Sequence, residues 1–352
     1  MRVALVGCGD IARRYATSIA SRPELELVGA TDPAPGLAEA IVTDFAGTAF
    51  PSLDALLADE TVDLVVNLTT PHAHAEVTTA ALGAGKHVHS EKPLALRHDD
   101  ARRIVDLANE RSLRVSCAPA TLLGEAQQTA WKLVRDGAIG PVRAAYAEAN
   151  WGRIETWHPS PLGLYAVGPL VDVGIYPLSI LTALFGPVTR VTAVARLLDD
   201  ERTTLAGETF RPEAPDFVVA VVELEDGVVA RLTASFYVGH HGKQRGLELH
   251  GDNGSIYLPT WGEANSRLEL AVDGQGYDVV PLVREPYAGI DWVRPLVDLV
   301  EAIEEGRPHR AGVEHAAHLV EVTSAVATSS RTGATVDVHS SFERPSPMPW
   351  AT

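Results

Sequence analysis

Val3-Ala4-Leu5-Val6-Gly7-Cys8-Gly9-Asp10-Ile11-Ala12 decides how this chain begins to fold. Four apolar residues make a strand-length run, two glycines interrupt it, and a helical pattern follows to about Ser21. That is G-x-G-x-x-A in the setting that gives it meaning, a strand followed by a tight turn and a helix start. Gly7 permits the turn, Gly9 lets backbone approach a pyrophosphate, and Ala12 keeps the helix close to the strand. The amides at the helix N-terminus, Asp10 and Ile11 among them, then hold the anion. A second apolar run, Leu25 to Thr31, ends in Asp32. A carboxylate there accepts from both ribose hydroxyls and repels a 2′-phosphate, so NAD is favoured, while Arg13 and Arg14 leave NADP open.

Working outward, the alternation of strand and helix continues. Helices are expected over 35–45, 53–57, 74–85 and 99–111, and buried strands over 62–68, 86–89 and 113–117. Strands separated by helices of this length imply parallel pairing through right-handed crossovers, a doubly wound Rossmann sheet. The strand Lys86-His87-Val88-His89 runs into Ser90-Glu91-Lys92-Pro93, and ligands of open α/β sheets bind just outside such strand ends. A Lys held there near a cationic nicotinamide has its pKa lowered by desolvation and like charge, which suits proton transfer at neutral pH.

Beyond residue 121 the rhythm changes. A helix over 124–136 leads to a strand over 142–151, ending in the candidate substrate contact Trp151, and then an irregular stretch carrying Arg153, Trp157, His158 and Tyr165. Polar and aromatic residues mixed in a long loop suit the gripping of a polar ring by stacking and hydrogen bonds. Asp172 and Tyr176, four apart at an expected helix start, point the same way. Apolar runs separated by turn signals such as Glu225-Asp226-Gly227 then indicate a large, mostly antiparallel open sheet, with helices on one face. The expected division is 1–121 for the dinucleotide-binding domain and 122–352 for an α+β substrate domain. The sheet's second face needs a cover, and pairing of subunits through it predicts a homodimer or homotetramer.

Composition narrows the partners. The 46 Asp+Glu against 29 Lys+Arg, a formal charge of −17, argue against binding nucleic acid or anionic membrane. No membrane span is expected. Two cysteines are too few for a disulfide framework, and with no signal-peptide layout at Met1-Arg2 the expected location is cytoplasmic. Among the 13 histidines only His315 and His318, beside Glu314, have ligand-like spacing, and no metal site is expected.

Three stretches together, Gly7 to Ala12, Thr69-Thr70-Pro71-His72-Ala73-His74-Ala75-Glu76, and Gly85-Lys86-His87-Val88-His89-Ser90-Glu91-Lys92-Pro93-Leu94, resemble the glucose-fructose oxidoreductase/inositol dehydrogenase (Gfo/Idh/MocA) family, over essentially the whole chain. The resemblance implies that Glu91 and Lys92 line the nicotinamide end, with Thr69, Pro71 and His74 on loops around the cofactor. It also implies that Asp172 and Tyr176 belong to the branch with Tyr where most members have His. The chain departs from the family's triple glycine before that Asp, having Ala166-Val167-Gly168. The implied reaction is hydride transfer between nicotinamide and a secondary hydroxyl or ketone of a sugar, cyclitol or glycoside. Tyr176 is expected to take the proton, its pKa lowered by Lys92, with Asp172 orienting the Lys; the alternative makes Lys92 itself the base. His240 is expected to reach the substrate from the sheet. Two other functions stay open: an NAD-dependent glycosidase acting by transient C3 oxidation and elimination, and a noncatalytic NAD- and sugar-binding regulator.

Overall fold

A computed structural model describes residues 1–239 and 241–352 of the chain. These residues form two compact units, Met1–Ala120 with Asp291–Val320, and Thr121–Ile290 with Glu321–Thr352. The division is therefore not a single cut near residue 121, because a later segment returns to the first unit. The sequence gives no local sign of this, since the returning helix Arg294–Glu305 looks like any amphipathic helix.

Among the described residues, the first unit is built on six strands: β1 (Arg2–Val6), β2 (Glu26–Thr31), β3 (Thr48–Ala49), β4 (Leu64–Asn67), β5 (His87–Ser90) and β6 (Val115–Cys117). Their order is β3-β2-β1-β4-β5-β6, and every pairing is parallel. Helices α1 (Ala12–Ala20), α2 (Leu37–Phe45), α3 (Leu53–Ala58), α4 (His74–Gly83) and α5 (His98–Arg111) alternate with them. Side chains leave a strand on alternate faces, so one buried run supplies two cores. Val3 and Leu5 pack with Tyr15 and Ile19 of α1 and with Leu296 and Leu299 of the returning helix. Ala4 and Val6 face the other way, with Leu56, Leu82 and Ile104 from α3 to α5. The order reverses between β1 and β4, and that switch point is where a parallel sheet leaves a crevice for ligand. The two-residue β3 was not expected, being too short for any periodic signal.

The second unit opens with α6 (Glu125–Arg135) and β7 (Val142–Asn150). The stretch expected to be irregular contains a 3₁₀ turn at Ile154–Thr156 and α7 (Leu162–Pro169), followed by a π-type segment, Leu170–Gly174, and α8 (Ile175–Phe185). Gly168 breaks the helical path with φ of 78°, and a Cβ there would lie 3.0 Å from Ala214 and Pro215, so both conformation and space call for glycine. The expectation that no run is long enough to cross a membrane needs correcting, since Leu162–Phe185 meets that length and composition. Its most apolar window is 89% buried inside the protein, as a core helix would be. The sheet comprises β7, β8 (Val188–Arg196), β11 (Phe217–Leu224), β12 (Val229–Ser235), β13 (Gly246–Gly251), β14 (Gly254–Leu258), β15 (Glu269–Val272), β16 (Asp278–Val279) and β17 (Val336–Asp337), while β9 (Arg202–Thr203) and β10 (Thr209–Phe210) pair separately. Among the described residues its order is β16-β15-β14-β13-β7-β12-β11-β8-β17, with β7 and β12 parallel and the other neighbours antiparallel. The fold is therefore a Rossmann α/β unit plus an α+β unit with a large, mostly antiparallel sheet. Val218, Ala220, Val222 and Leu224 of β11 are buried, and Val221 between them is exposed, the alternation of a sheet covered on one face.

Candidate functional site

In the first unit the glycine loop follows β1 directly. Gly7 has φ of 92°, and a Cβ on it would fall 2.8 Å from backbone atoms of Leu68 and Thr69, so the turn packs on the end of β4 and admits only glycine. At Gly9 an added Cβ would meet nothing within 4 Å, which leaves room for another molecule against the backbone. No side chain caps α1, so Asp10 and Ile11 lead into a helix N-terminus whose amides can face an anion. Asp32 is held from both sides: the Cys8 amide donates to Oδ2 and the Ala34 amide to Oδ1, each at 2.7 Å. A carboxylate has about four acceptor positions, and the two amides aim those that remain. Arg13 is paired with Asp44 at 2.5 Å. This cradle fits a dinucleotide. Burial and the charge of Asp32 push the Cys8 thiol up to about 12, so it stays protonated inside the loop.

The ends of β4 and β5 are tied together by buried polar groups. Asn67 accepts from the Thr69 hydroxyl at 2.7 Å and donates to the His74 carbonyl at 3.0 Å. His74 presents Nδ1 to the Pro93 carbonyl at 2.7 Å and Nε2 to the Thr69 carbonyl at 3.0 Å. A neutral imidazole donates from one nitrogen only, so it satisfies one of the two carbonyls at a time. Burial is the largest influence on this imidazole and pushes its pKa below the ordinary value. His74 thus braces the loops bearing Thr69 and Lys92, with half-buried Pro71 between Thr69 and His74.

Glu91 is buried. Its Oε1 accepts from the Tyr15 hydroxyl at 2.8 Å and its Oε2 from the Lys92 amide at 3.1 Å. Tyr15 also meets His89 Nε2 at 3.3 Å, and His89 Nδ1 meets the Ser116 hydroxyl at 2.6 Å. One assignment of protons satisfies all three contacts: Ser116 donates to His89, His89 through Nε2–H to Tyr15, and Tyr15 to Glu91. Burial pushes His89 down to about 3, in keeping with a neutral ring. The chain runs from the sheet interior to the carboxylate beside half-buried Lys92, whose bond to Pro93 is cis. Asn67, Tyr15 and His89 were not singled out from the sequence; a polar residue inside an apolar strand or helix face was the available signal.

In the second unit Asp172 lies on the π-type segment and Tyr176 opens α8, both largely buried. Such segments recur where function requires an off-register side chain. The Tyr176 ring lies 5.0 Å from that of Trp261, Trp261 is 6.1 Å from Trp151, and Trp151 is 6.4 Å from Trp157. Trp261 is fixed by its indole N–H, which donates to the Glu148 carbonyl at 3.1 Å. Trp261 carried no sequence signal, because it sits in a loop far along the chain. The other expected contacts divide. Arg153 pairs with Asp199 at 2.9 Å and lies over the Tyr237 ring. His158 accepts from the Ser160 amide at 3.0 Å. Tyr165 is only 1% exposed and its hydroxyl donates to Glu155, so it suits support of the neighbouring segment better than contact with a ligand. Arg202, also buried, bonds Glu155 at 2.8 Å and Asp216 at 2.5 Å beneath the Tyr165 ring. His240 lies outside the described residues. Among the described residues no group of three His, Cys, Asp or Glu is placed to hold a metal ion.

Comparison with known proteins adds to this geometry. Residues 1–118 match a family model described as an oxidoreductase family with an NAD-binding Rossmann fold, and residues 127–257 match the GFO/IDH/MocA C-terminal domain. A dTDP-3,4-didehydro-2,6-dideoxy-alpha-D-glucose 3-reductase of Streptomyces violaceoruber is 32% identical over 262 residues, covering 73% of this chain and 72% of the relative. An inositol 2-dehydrogenase of Rhizobium meliloti is 26% identical, with 80% and 82% covered. Among solved structures, a levoglucosan dehydrogenase in complex with NADH and levoglucosan superposes with a TM-score of 0.85 at 22% identity, over 96% of this chain and 99% of that one.

Proposed function

Since the chain belongs to the Gfo/Idh/MocA family and is an NAD(P)-dependent oxidoreductase, we propose that it transfers a hydride between nicotinamide and a secondary hydroxyl or ketone of a sugar, cyclitol or glycoside. The named relatives act on sugars or a cyclitol, which supports this substrate class. One observation carries the reading: Tyr176, close in sequence to Asp172, stands 5.0 Å from the Trp261 ring. A hydroxyl able to exchange a proton beside an aromatic face suits a ring-shaped alcohol.

Gly7, Gly9 and the amides of Asp10 and Ile11 would hold the pyrophosphate, and Asp32 the adenosine ribose, with NAD preferred and NADP accepted less well. Bound nicotinamide supplies the hydride acceptor or donor. For oxidation Tyr176 acts as the phenolate, its Oη accepting the substrate's hydroxyl proton, with Lys92 in its neutral form as the rival base. Trp261 orients the reacting ring, with Trp151 beyond it as a further contact for the substrate. The buried thiols Cys8 and Cys117 accord with a cytoplasmic location, and pairing through the open sheet face would give a homo-oligomer.

The test follows NADH or NADPH absorbance over a panel of sugars, cyclitols and glycosides. Substrate-dependent absorbance with NAD is expected, and Tyr176→Phe should lower kcat by about 10²–10⁴-fold with NAD affinity unchanged. Wild-type turnover by Tyr176→Phe with a collapse in Lys92→Met would make Lys92 the base. Glycoside cleavage without net NADH would replace the reading with the eliminative glycosidase.

A further inference from the structure

The aromatic row in the second unit is longer than one sugar ring requires. Its successive centroid separations, 5.0 Å from Tyr176 to Trp261, 6.1 Å on to Trp151 and 6.4 Å on to Trp157, are each in the range of direct ring contact. A pyranose with its hydroxyl oxygens, built from bonds of about 1.5 Å, is only about 6 Å across. A sugar reacting at Tyr176 would therefore leave the outer members of the row uncovered.

Exposure is graded along the row. Tyr176 and Trp261 are each 9% exposed, Trp151 is half-buried, and Trp157 is 47% exposed. Trp157 is nonetheless braced edge-on by Trp151 and by His158. Leu162 and Tyr237, on the adjoining segments, are exposed as well. An indole held in place and open to water, with apolar neighbours, marks a contact surface better than it marks a core.

The charges nearby favour a neutral guest. Arg153 pairs with Asp199 at 2.9 Å, and Arg202 is enclosed between Glu155 and Asp216. A diphosphate would have to compete with carboxylates already in place for either guanidinium. Lys243 and Arg245 are exposed on a later segment, and the nucleotide sugar in the test addresses them.

We infer that Trp151 and Trp157 form an outer subsite for a second, uncharged ring, so that the enzyme prefers glycosides with a ring-shaped aglycone over simple monosaccharides and over nucleoside diphosphate sugars. This rests on the proposed oxidation of a sugar hydroxyl near Tyr176. It adds a specificity role for Trp157, which the reaction itself does not need.

The test compares methyl and phenyl glucosides and galactosides, in both anomeric forms, with dTDP-glucose, using the full-length protein with NAD. The phenyl-to-methyl ratio of kcat/KM should be about five to ten, the worth of one aromatic contact. It should fall to near one in Trp157→Ala and return in part in Trp157→Phe. A wild-type ratio near one, a ratio unchanged in Trp157→Ala, or faster turnover of dTDP-glucose than of every phenyl glycoside overturns the inference. Absence of turnover with any glycoside counts against the sugar-oxidising function instead. Calorimetric titration of the NAD complex with phenyl and methyl glucosides then decides the subsite: tighter phenyl binding that Trp157→Ala abolishes supports it, and equal or no binding refutes it.

Discussion

Single residues here act mainly through what burial does to them. His89 remains neutral in the folded protein because burial pushes its pKa from 6.5 to about 3. Unfolding frees the ring to titrate near 6.5, so below that pH the unfolded chain binds the extra proton. Its contribution to stability is therefore complete above about pH 6.5 and declines as pH falls toward 3. Between pH 7 and 5 this one group should remove about 2 kcal/mol. Urea unfolding at the two pH values checks it, and His89→Gln, which keeps polar contacts for Ser116 and Tyr15, should reduce the loss by about that amount. An unchanged difference would mean that His89 does not titrate this way. Asp32 acts through charge and position, since the Cys8 and Ala34 amides orient its carboxylate. On the proposed cofactor contact, Asp32→Ala would remove charge-assisted bonds to a ribose and the repulsion of a 2′-phosphate, so the NAD-to-NADP ratio of kcat/KM should drop by at least about tenfold. A ratio that stays put would remove Asp32 from cofactor selection.

Elements are placed by groups lying far apart in sequence. The 3₁₀ turn at Ile154–Thr156 and the β9-β10 pair are joined by Arg202, bonded to Glu155 and Asp216 with its side chain wholly buried. Removing one member of such a cluster leaves buried charge uncompensated. Arg202→Met should therefore cost about 3–5 kcal/mol in urea unfolding, and a loss below about 1 kcal/mol would show that the segment is held by packing instead. The expected irregular loop was wrong over Leu162–Pro169, where an apolar stretch forms a helix that buries Tyr165, Gly168 and Pro169, a sidedness that no charged face marks. The same sidedness was readable for α1 and the helix Arg294–Glu305, whose polar residues mark a solvent face.

At the scale of the whole molecule, the sheet of the second unit leaves Tyr146, Val194, Val221 and Val229 exposed. Arg231 lies 4.5 Å over the Tyr146 ring and pairs with Glu148, so charged and apolar groups mix on that face, as in subunit contacts. Val221→Glu together with Tyr146→Asp should convert an oligomer to monomer in light scattering, and an unchanged mass would place the contact elsewhere or nowhere. The dinucleotide cradle was legible from residues 1–32, because strand, turn and helix N-terminus are contiguous and each glycine has a local reason. The strand positions, including those leading to Lys92, were legible from continuous apolar runs. The Tyr15-His89-Ser116 chain, the Asn67-His74 brace and the Trp261 contact were not, because each joins residues separated in sequence and no local period links them. Sequence by itself determined the cofactor loop, the strand alternation and the residue types available for proton transfer, all set by short-range sterics and side-chain period. Tertiary structure alone decided which buried groups are paired, that 291–320 rejoins the first unit, and that four aromatics form one row, because long-range packing rather than local preference brings those atoms together.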